Sequence, residues 1–401
     1  MYTDHTLIIK ELERSIKFYN WNSILSFLPK GSYLVGGYVR DIIMKRVTKE
    51  VDVDIVVPCN AIAIGKKISD NIKSKFIILD KKREVVRIIL HGISIDIANQ
   101  VSSTIEGDLR ARDFSINSIA FLLDKKCLFD PLNGIKDLEL ALLRTHSEIN
   151  LLNDPLRILR CFRFVSELNF KVDLNLITFI KKNKRKLYFV AKERINYEMQ
   201  KIVHGANALD AVLLLKTLNI FGSENLYKDS FFLDLKKINY EELNQHEKEE
   251  FLPFFFITQI LDVVSLEELN FSKVEIAKTN LLRKWHLFLK NKNIHQLNEL
   301  DRFKLHQELE MFLPSFIFYL PQNLRLNWLN RWRDKEDKLF HPSNLVNGDV
   351  IKKYLKIEDG PILGELLQYL SKELAYKRLN NFDEAIYKAK RWIEQNAPKC
   401  D

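Results

Sequence analysis

Along the first thirty residues, apolar side chains recur on one helical stripe: Leu7, Ile8, Leu12, Ile16, Tyr19, Ile24 and Leu28. This spacing predicts a helical segment that ends at Pro29 and Gly31. The period then shortens. β-like runs follow at Tyr33 to Val35, Val51 to Val57, Phe76 to Leu79, Val85 to Leu90, Ile93 to Ala98 and Ile119 to Leu123, and a turn at His91 and Gly92 reads as a hairpin. Seven of the twelve glycines fall between 31 and 134; none follows until Gly205, and none occurs from 223 to 347. Glycine-free tracts rich in Leu, Ile, Lys and Glu suit helices, here Asp154 to Phe170, Asn175 to Lys186 and Glu193 to Val203. Residues 206–330 add helices dense in aromatics, among them Phe254, Phe255, Phe256, Trp285 and Trp328, whose helical spacing reads as core. The fold class is α+β: a head of about 140 residues and a helical remainder.

Composition narrows this only slightly. With 401 residues and 46% hydrophobic content the chain can bury several cores. No apolar run is long enough to span a bilayer, and the N-terminus lacks the layout of a signal peptide, so a soluble, cytoplasmic protein is expected. Cys59, Cys127, Cys161 and Cys400 match neither a metal-ligand spacing nor a disulfide framework. A net charge of +9 favours a polyanionic partner, and Lys181 to Arg194 concentrates Lys181, Lys182, Lys184, Arg185, Lys186, Lys192 and Arg194 against Glu193 alone. A solvated helix end explains such a run equally well. Lys377, Arg378, Lys388, Lys390 and Arg391 add exposed positive charge near the end of the chain.

The chemistry concentrates between Gly36 and Asp54. Gly36 and Gly37 follow a strand and admit backbone N–H groups close to an anion; Arg40 either pairs a phosphate or bridges to Asp41 or Glu50. Asp52 and Asp54 alternate with Val51, Val53 and Ile55 on a strand, so the two carboxylates share a face while the apolar residues enter a core. Two carboxylates forced together repel unless a cation lies between them, and hard divalent ions such as Mg²⁺ take such ligands. Asp96, between isoleucines on a later strand, is either a third ligand or a satisfied structural aspartate. In Gly107 to Asn117, Arg112, Asp113 and Asn117 offer groups for a triphosphate or ribose, although an ordinary helix start fits the same residues.

In order along the chain, GGYVRD, DVD, RDFSIN, DPLNGIKDL, NDPLRILRCFRF and ERINYEMQKI resemble the motifs of class II tRNA nucleotidyltransferases and bacterial poly(A) polymerases. VNGDV and GPILG near the end are similar to that family's C-terminal pattern, while 206–330 match loosely. The resemblance implies a polymerase-β-like nucleotidyltransferase head over 1–140, a helical neck with a nucleotide-templating helix over 141–205, a body over 206–330 and a tRNA-binding tail over 331–401. It implies Mg²⁺ on Asp52 and Asp54, and nucleotide contacts from Gly36, Gly37, Arg40, Arg112, Asp113, Asn117, Asp154, Arg157, Arg160 and Arg163. Asp130 and Asp137 fall in the hinge-like third motif, and Glu193 and Arg194 in a fifth that braces the neck.

The substrates implied are tRNA, CTP and ATP, with no protein partner. Asp154 and Arg157, expected on one helix face, fit base choice: a carboxylate accepts from the exocyclic amine that C and A share, arginine donates to their ring nitrogen or carbonyl, and U and G present a carbonyl instead. Asp154 ahead of Pro155 also reads as a plain N-cap. Ala111 replaces the first of the family's paired arginines, and Asn153 an acid before Asp154. Only twelve positions separate Asp96 from Asp108, where complete CCA-adding members usually carry a longer loop; this resembles the CC-adding subgroup. The expectation is addition of C residues to the tRNA 3′ end. Complete CCA addition, a poly(A) polymerase and a non-catalytic RNA-binding descendant are the alternatives.

Overall fold

The computed structural model describes residues 4–18, 21–46, 51–90, 92–222, 230–292, 294–358 and 360–396. Tyr19, Glu50, His91 and Cys400 lie outside them. The chain divides into two compact units, Met1–Ile220 and Phe221–Asp401.

The first unit is built on a mixed seven-stranded sheet, with strands β1 (Tyr33–Val35), β2 (Val51–Val57), β3 (Lys75–Asp80), β4 (Val85–Leu90), β5 (Ile93–Asn99), β6 (Ala120–Leu122) and β7 (Cys127–Phe129). Their order is β3-β4-β5-β2-β1-β6-β7, antiparallel throughout except for β2 beside β5. The six expected strands form; β7 was not anticipated, being three residues with no alternation to detect. Strand alternation divides β2 as expected. Val53 and Ile55 are 1% exposed, whereas Asp52 is exposed and Asp54 half-buried on the opposite face. On that face Val56, Val35, Ile105, Leu109 and Ala120 close into a core, so the row from Asp52 through Asp54 to Val56 runs from solvent inwards.

The N-terminal stripe forms a helix at His5–Phe18 and a short one at Asn22–Leu25. Ile8, Leu12, Ile16 and Ile24 are buried, but Leu7 is 46% exposed: beside Ile8 it lies off the narrower face the helix presents to the sheet. The expected helix from Asp154 is shorter, Arg157–Leu168. Asp154 and Pro155 lie outside it in a turn, in which Asp154 O accepts from Arg157 N at 3.0 Å. Asp154 and Arg157 are therefore not on one helix face. Helices Leu174–Asn183, Lys192–Val203 and Ala208–Thr217 follow that helix in this unit. A 3-10 segment, Lys184–Phe189, ends the second predicted helix early. Gly107, read as a helix start, lies inside the helix Ile105–Arg110, which Thr104 caps through its side-chain oxygen.

The second unit is helical among the described residues. Its core is aromatic, as the spacing predicted: Phe255 and Phe318 centre their rings 4.7 Å apart, Phe231 stacks on Tyr319 at 5.0 Å, and His306, Trp328 and Phe340 pack against one another. Residues 346–389 contribute a separate apolar cluster around Ile351, Leu366 and Leu370. The boundary placed at 330 falls within the helix Gln322–Arg333. Arg378 is ion-paired to Glu299 and Glu373, and Lys388 to Glu373, which ties part of the late positive charge to acids. No helix among the described residues is long and apolar enough to cross a membrane.

Candidate active site

The sheet's register assembles the site. Across β4, β5, β2 and β1, Arg87 pairs with Asp96, Asp96 with Asp54, and Asp54 with Val35. Partners in register project to the same face, so Arg87, Asp96 and Asp54 form one row beneath the glycine turn. Arg87 grips both oxygens of Asp96, Nε to Oδ1 at 2.7 Å and Nη2 to Oδ2 at 2.8 Å. Of the two readings of Asp96, this contact accounts for its burial without a metal. Asp54 has no such clamp. Burial pushes its carboxyl above the ordinary range, Arg112 pulls it down, and Asp96 and Asp52 push it up again.

Gly36 makes the close approach. It sits at φ 75, and a methyl added there would come 2.8 Å from Asp54 Oδ2 and 3.0 Å from Arg112 Nη1. The absence of a side chain therefore lets carboxylate, guanidinium and backbone share one corner. Arg112 donates from Nη2 to Asp108 at 3.3 Å, while its buried Nε has no hydrogen-bond partner.

Arg40 is 7% exposed and engaged within the protein. Nε and Nη2 donate to Asp41 at 3.0 and 3.1 Å, Nη1 donates to Asn117 Oδ1 at 2.8 Å, and its guanidinium lies 5.2 Å from the centre of the Phe164 ring. Asn117 passes the chain of bonds on to Asp113 Oδ1 at 3.1 Å, and Asp113 Oδ2 accepts from Arg160 Nε at 2.6 Å. Burial pushes Asp113 up, but Arg160's charge and hydrogen bonds from Asn117, Arg160 and Phe114 N–H hold it down at about 2. Arg163 donates to Glu198 at 3.0 Å and also lies over Phe164. These residues thus brace the sheet and its loops against the helix Arg157–Leu168. In the third motif Asp137, 1% exposed, accepts from Ser115 Oγ and from Arg144 Nη1 at 2.9 Å, which ties the segments around residues 115 and 144 together.

Asp154 Oδ2 accepts from Arg194 Nη2 at 2.9 Å, joining the fourth and fifth motifs. Arg157 donates from Nη1 to the carbonyls of Ala111 and Asn150, at 3.0 and 3.2 Å, and among the described residues its other N–H groups make no hydrogen bond. Burial lowers its pKa.

All the predicted site residues, with Asp96, line one cavity of about 1100 Å³. Arg87, Phe164, Tyr197, Glu198 and Lys201 also line it and were missed. Arg87 alone had a usable signal: a two-residue hairpin turn that pairs 90 with 93 also pairs 87 with 96. Among the described residues no three acidic, His or Cys side chains converge as a ready metal ligand set. Two carboxylates on one face, one of them disfavoured in its charged form by burial, nevertheless fit Mg²⁺, which commonly takes one or two carboxylates plus substrate phosphates.

The model of the poly(A) polymerase head domain matches residues 32–144. The CC-adding tRNA nucleotidyltransferase of Synechocystis sp. is 27% identical over 90% of this chain and 94% of its own length. The CCA-adding enzyme of Ligilactobacillus salivarius is 26% identical over 91% and 93%. The fold matches that of the Thermotoga maritima CCA-adding enzyme complexed with tRNA, with a TM-score of 0.74, 21% identity and coverage of 97% and 98%. Head, motif order and full-length similarity agree: the chain carries a poly(A) polymerase head domain and is similar along nearly its whole length to CC-adding and CCA-adding tRNA nucleotidyltransferases.

Proposed function

We propose that the protein adds C residues to the 3′ end of tRNA from CTP without a nucleic-acid template. The convergence of Asp52, Asp54, Gly36, Arg112, Asp154 and Arg157 on one cavity carries this reading. Bound Mg²⁺ would supply activation of the 3′-hydroxyl and charge neutralisation at the leaving pyrophosphate. Asp52 and Asp54 would hold that ion. Gly36 lets the triphosphate approach the backbone, and Arg112, with an unsatisfied Nε, meets it with positive charge. Arg40, Asn117, Asp113 and Arg160 act behind them by fixing the walls of the cavity. Asp154 and the remaining N–H groups of Arg157 meet the edge of the base, Asp154 held in place by Arg194.

Restriction to C is supported by the connection after β5. Val101 N donates to Asp108 Oδ1 at 3.1 Å, Ser102 Oγ to Thr104 O at 2.8 Å, and Gly107 N to Thr104 Oγ1 at 3.2 Å. A segment closed on itself in this way has little freedom to re-aim the site between C and A. The relatives include both CC-adding and CCA-adding enzymes, so the assay must separate them. RNA is held through shape and phosphates by neck, body and tail, in the cytoplasm, with a steep salt dependence.

The test is incorporation into tRNA lacking its 3′ end, with CTP and ATP separately and together. Addition of C alone is expected. Extension through a terminal A assigns complete CCA addition instead, and long tails from ATP on unstructured RNA assign a poly(A) polymerase. Asp52→Ala combined with Asp54→Ala should abolish transfer and leave tRNA binding unchanged; transfer that persists rejects the assignment of the site.

A further inference from the structure

A cavity that takes a nucleotide must hold flat base faces as well as phosphates and a hydrogen-bonding edge. Tyr38, Phe164 and Tyr197 are the aromatic side chains lining it. Tyr38 and Phe164 are 9% and 2% exposed and belong to the packing around the site. Tyr197 is 59% exposed.

Its surroundings give that exposure a use. Tyr197 stands on the helix Lys192–Val203, with Arg194 three residues before it and Lys201 four after, all on the helix face that lines the cavity. The Lys201 ammonium lies 4.5 Å from the centre of the Tyr197 ring, a cation–π contact that orients the ring. Arg194, on the other side, holds Asp154 at 2.9 Å. The exposed ring therefore shares a helix face with the arginine that positions the proposed reader of the base edge. We propose that Tyr197 is a stacking platform for a nucleobase in this cavity. The inference rests on the nucleotide-transfer reading and deepens it. Every base has a π face, so stacking accepts C and A alike, and choice between bases stays with Asp154 and Arg157. The base belongs either to the incoming triphosphate or to the 3′ end of the RNA.

Tyr197→Ala, Tyr197→Phe and the unaltered chain separate these sources when CTP and ATP binding is measured by calorimetry without RNA, and truncated-tRNA binding by fluorescence anisotropy without nucleotide. Because the side chain is exposed, the melting temperature should not move. Tyr197→Ala should weaken one arm by about 5- to 100-fold while Tyr197→Phe stays near the unaltered chain. Loss in the nucleotide arm, similar for CTP and ATP, assigns the ring to the triphosphate's base; loss in the tRNA arm assigns it to the RNA end. Unchanged binding in both arms, or equal losses for Ala and Phe, overturns the proposal. If the unaltered chain transfers nucleotide while Tyr197→Ala binds both ligands normally, only this inference fails; no transfer at all rejects the functional reading beneath it.

Discussion

Replacing Asp113 by asparagine keeps the size of the side chain and removes its charge. Asp113 is 5% exposed, and its Oδ2 takes the 2.6 Å bond from Arg160. A carboxyl held from an ordinary 3.8 down to about 2 favours its charged form by about 2 kcal/mol. The variant also strands the largely buried Arg160 guanidinium, and breaking such a pair typically costs about 3–5 kcal/mol. A loss of about 2–4 kcal/mol at pH 7 is expected. The sign follows from linkage: with the folded pKa below the unfolded one, the contribution is complete above about pH 4 and disappears as pH falls towards about 2. Urea unfolding at pH 7 and pH 3 of the unaltered chain, Asp113→Asn, Arg160→Gln and the double variant would measure it. A gap below about 0.5 kcal/mol at pH 7, or one that does not shrink on acidification, refutes the reasoning.

Gly36→Ala should lower both transfer and the melting temperature, because the residue sits at φ 75 and the methyl meets Asp54 and Arg112 at 2.8 and 3.0 Å; near-normal turnover in a steady-state assay would contradict the close approach. Arg87→Met leaves Asp96 beside Asp54 without its cation, so Mn²⁺ should raise the melting temperature of the variant more than that of the unaltered chain, and equal shifts in scanning fluorimetry count against this. Burial holds His306, packed against Trp328 and Phe340, down at about 3. Being neutral when folded, it should weaken its unit as pH falls from about 6.5 towards 3, and His306→Phe should flatten that dependence in pH-resolved melting curves; an unchanged slope argues otherwise.

Local patterns explain what could be read early. The first part of β2 alternates because one face meets a core and the other a cavity, so the shared direction of Asp52 and Asp54 followed from period alone. The helix expected from Asp154 begins only at Arg157, because an aspartate before proline is compatible both with a cap and with the turn that forms. Arg40 had two readings, phosphate or intramolecular partner. Its bonds to Asp41 join neighbours in sequence, whereas its bond to Asn117 depends on a residue seventy-seven positions later, which no local pattern encodes.

By itself, the sequence determined the division into a strand-rich head and helical remainder, the shared face of the two aspartates, the glycine turn before them and the order of motifs that carries the family resemblance. These are properties of short segments, expressed through backbone period and residue type. Only the tertiary structure decided that Arg87 clamps Asp96, that Asp154 is held by Arg194, that Arg40 braces through Asn117, and that Tyr197 remains open in the cavity. Each depends on sheet register or on helices meeting far from their neighbours in sequence, where a charge finds its partner only after the core has set the distance.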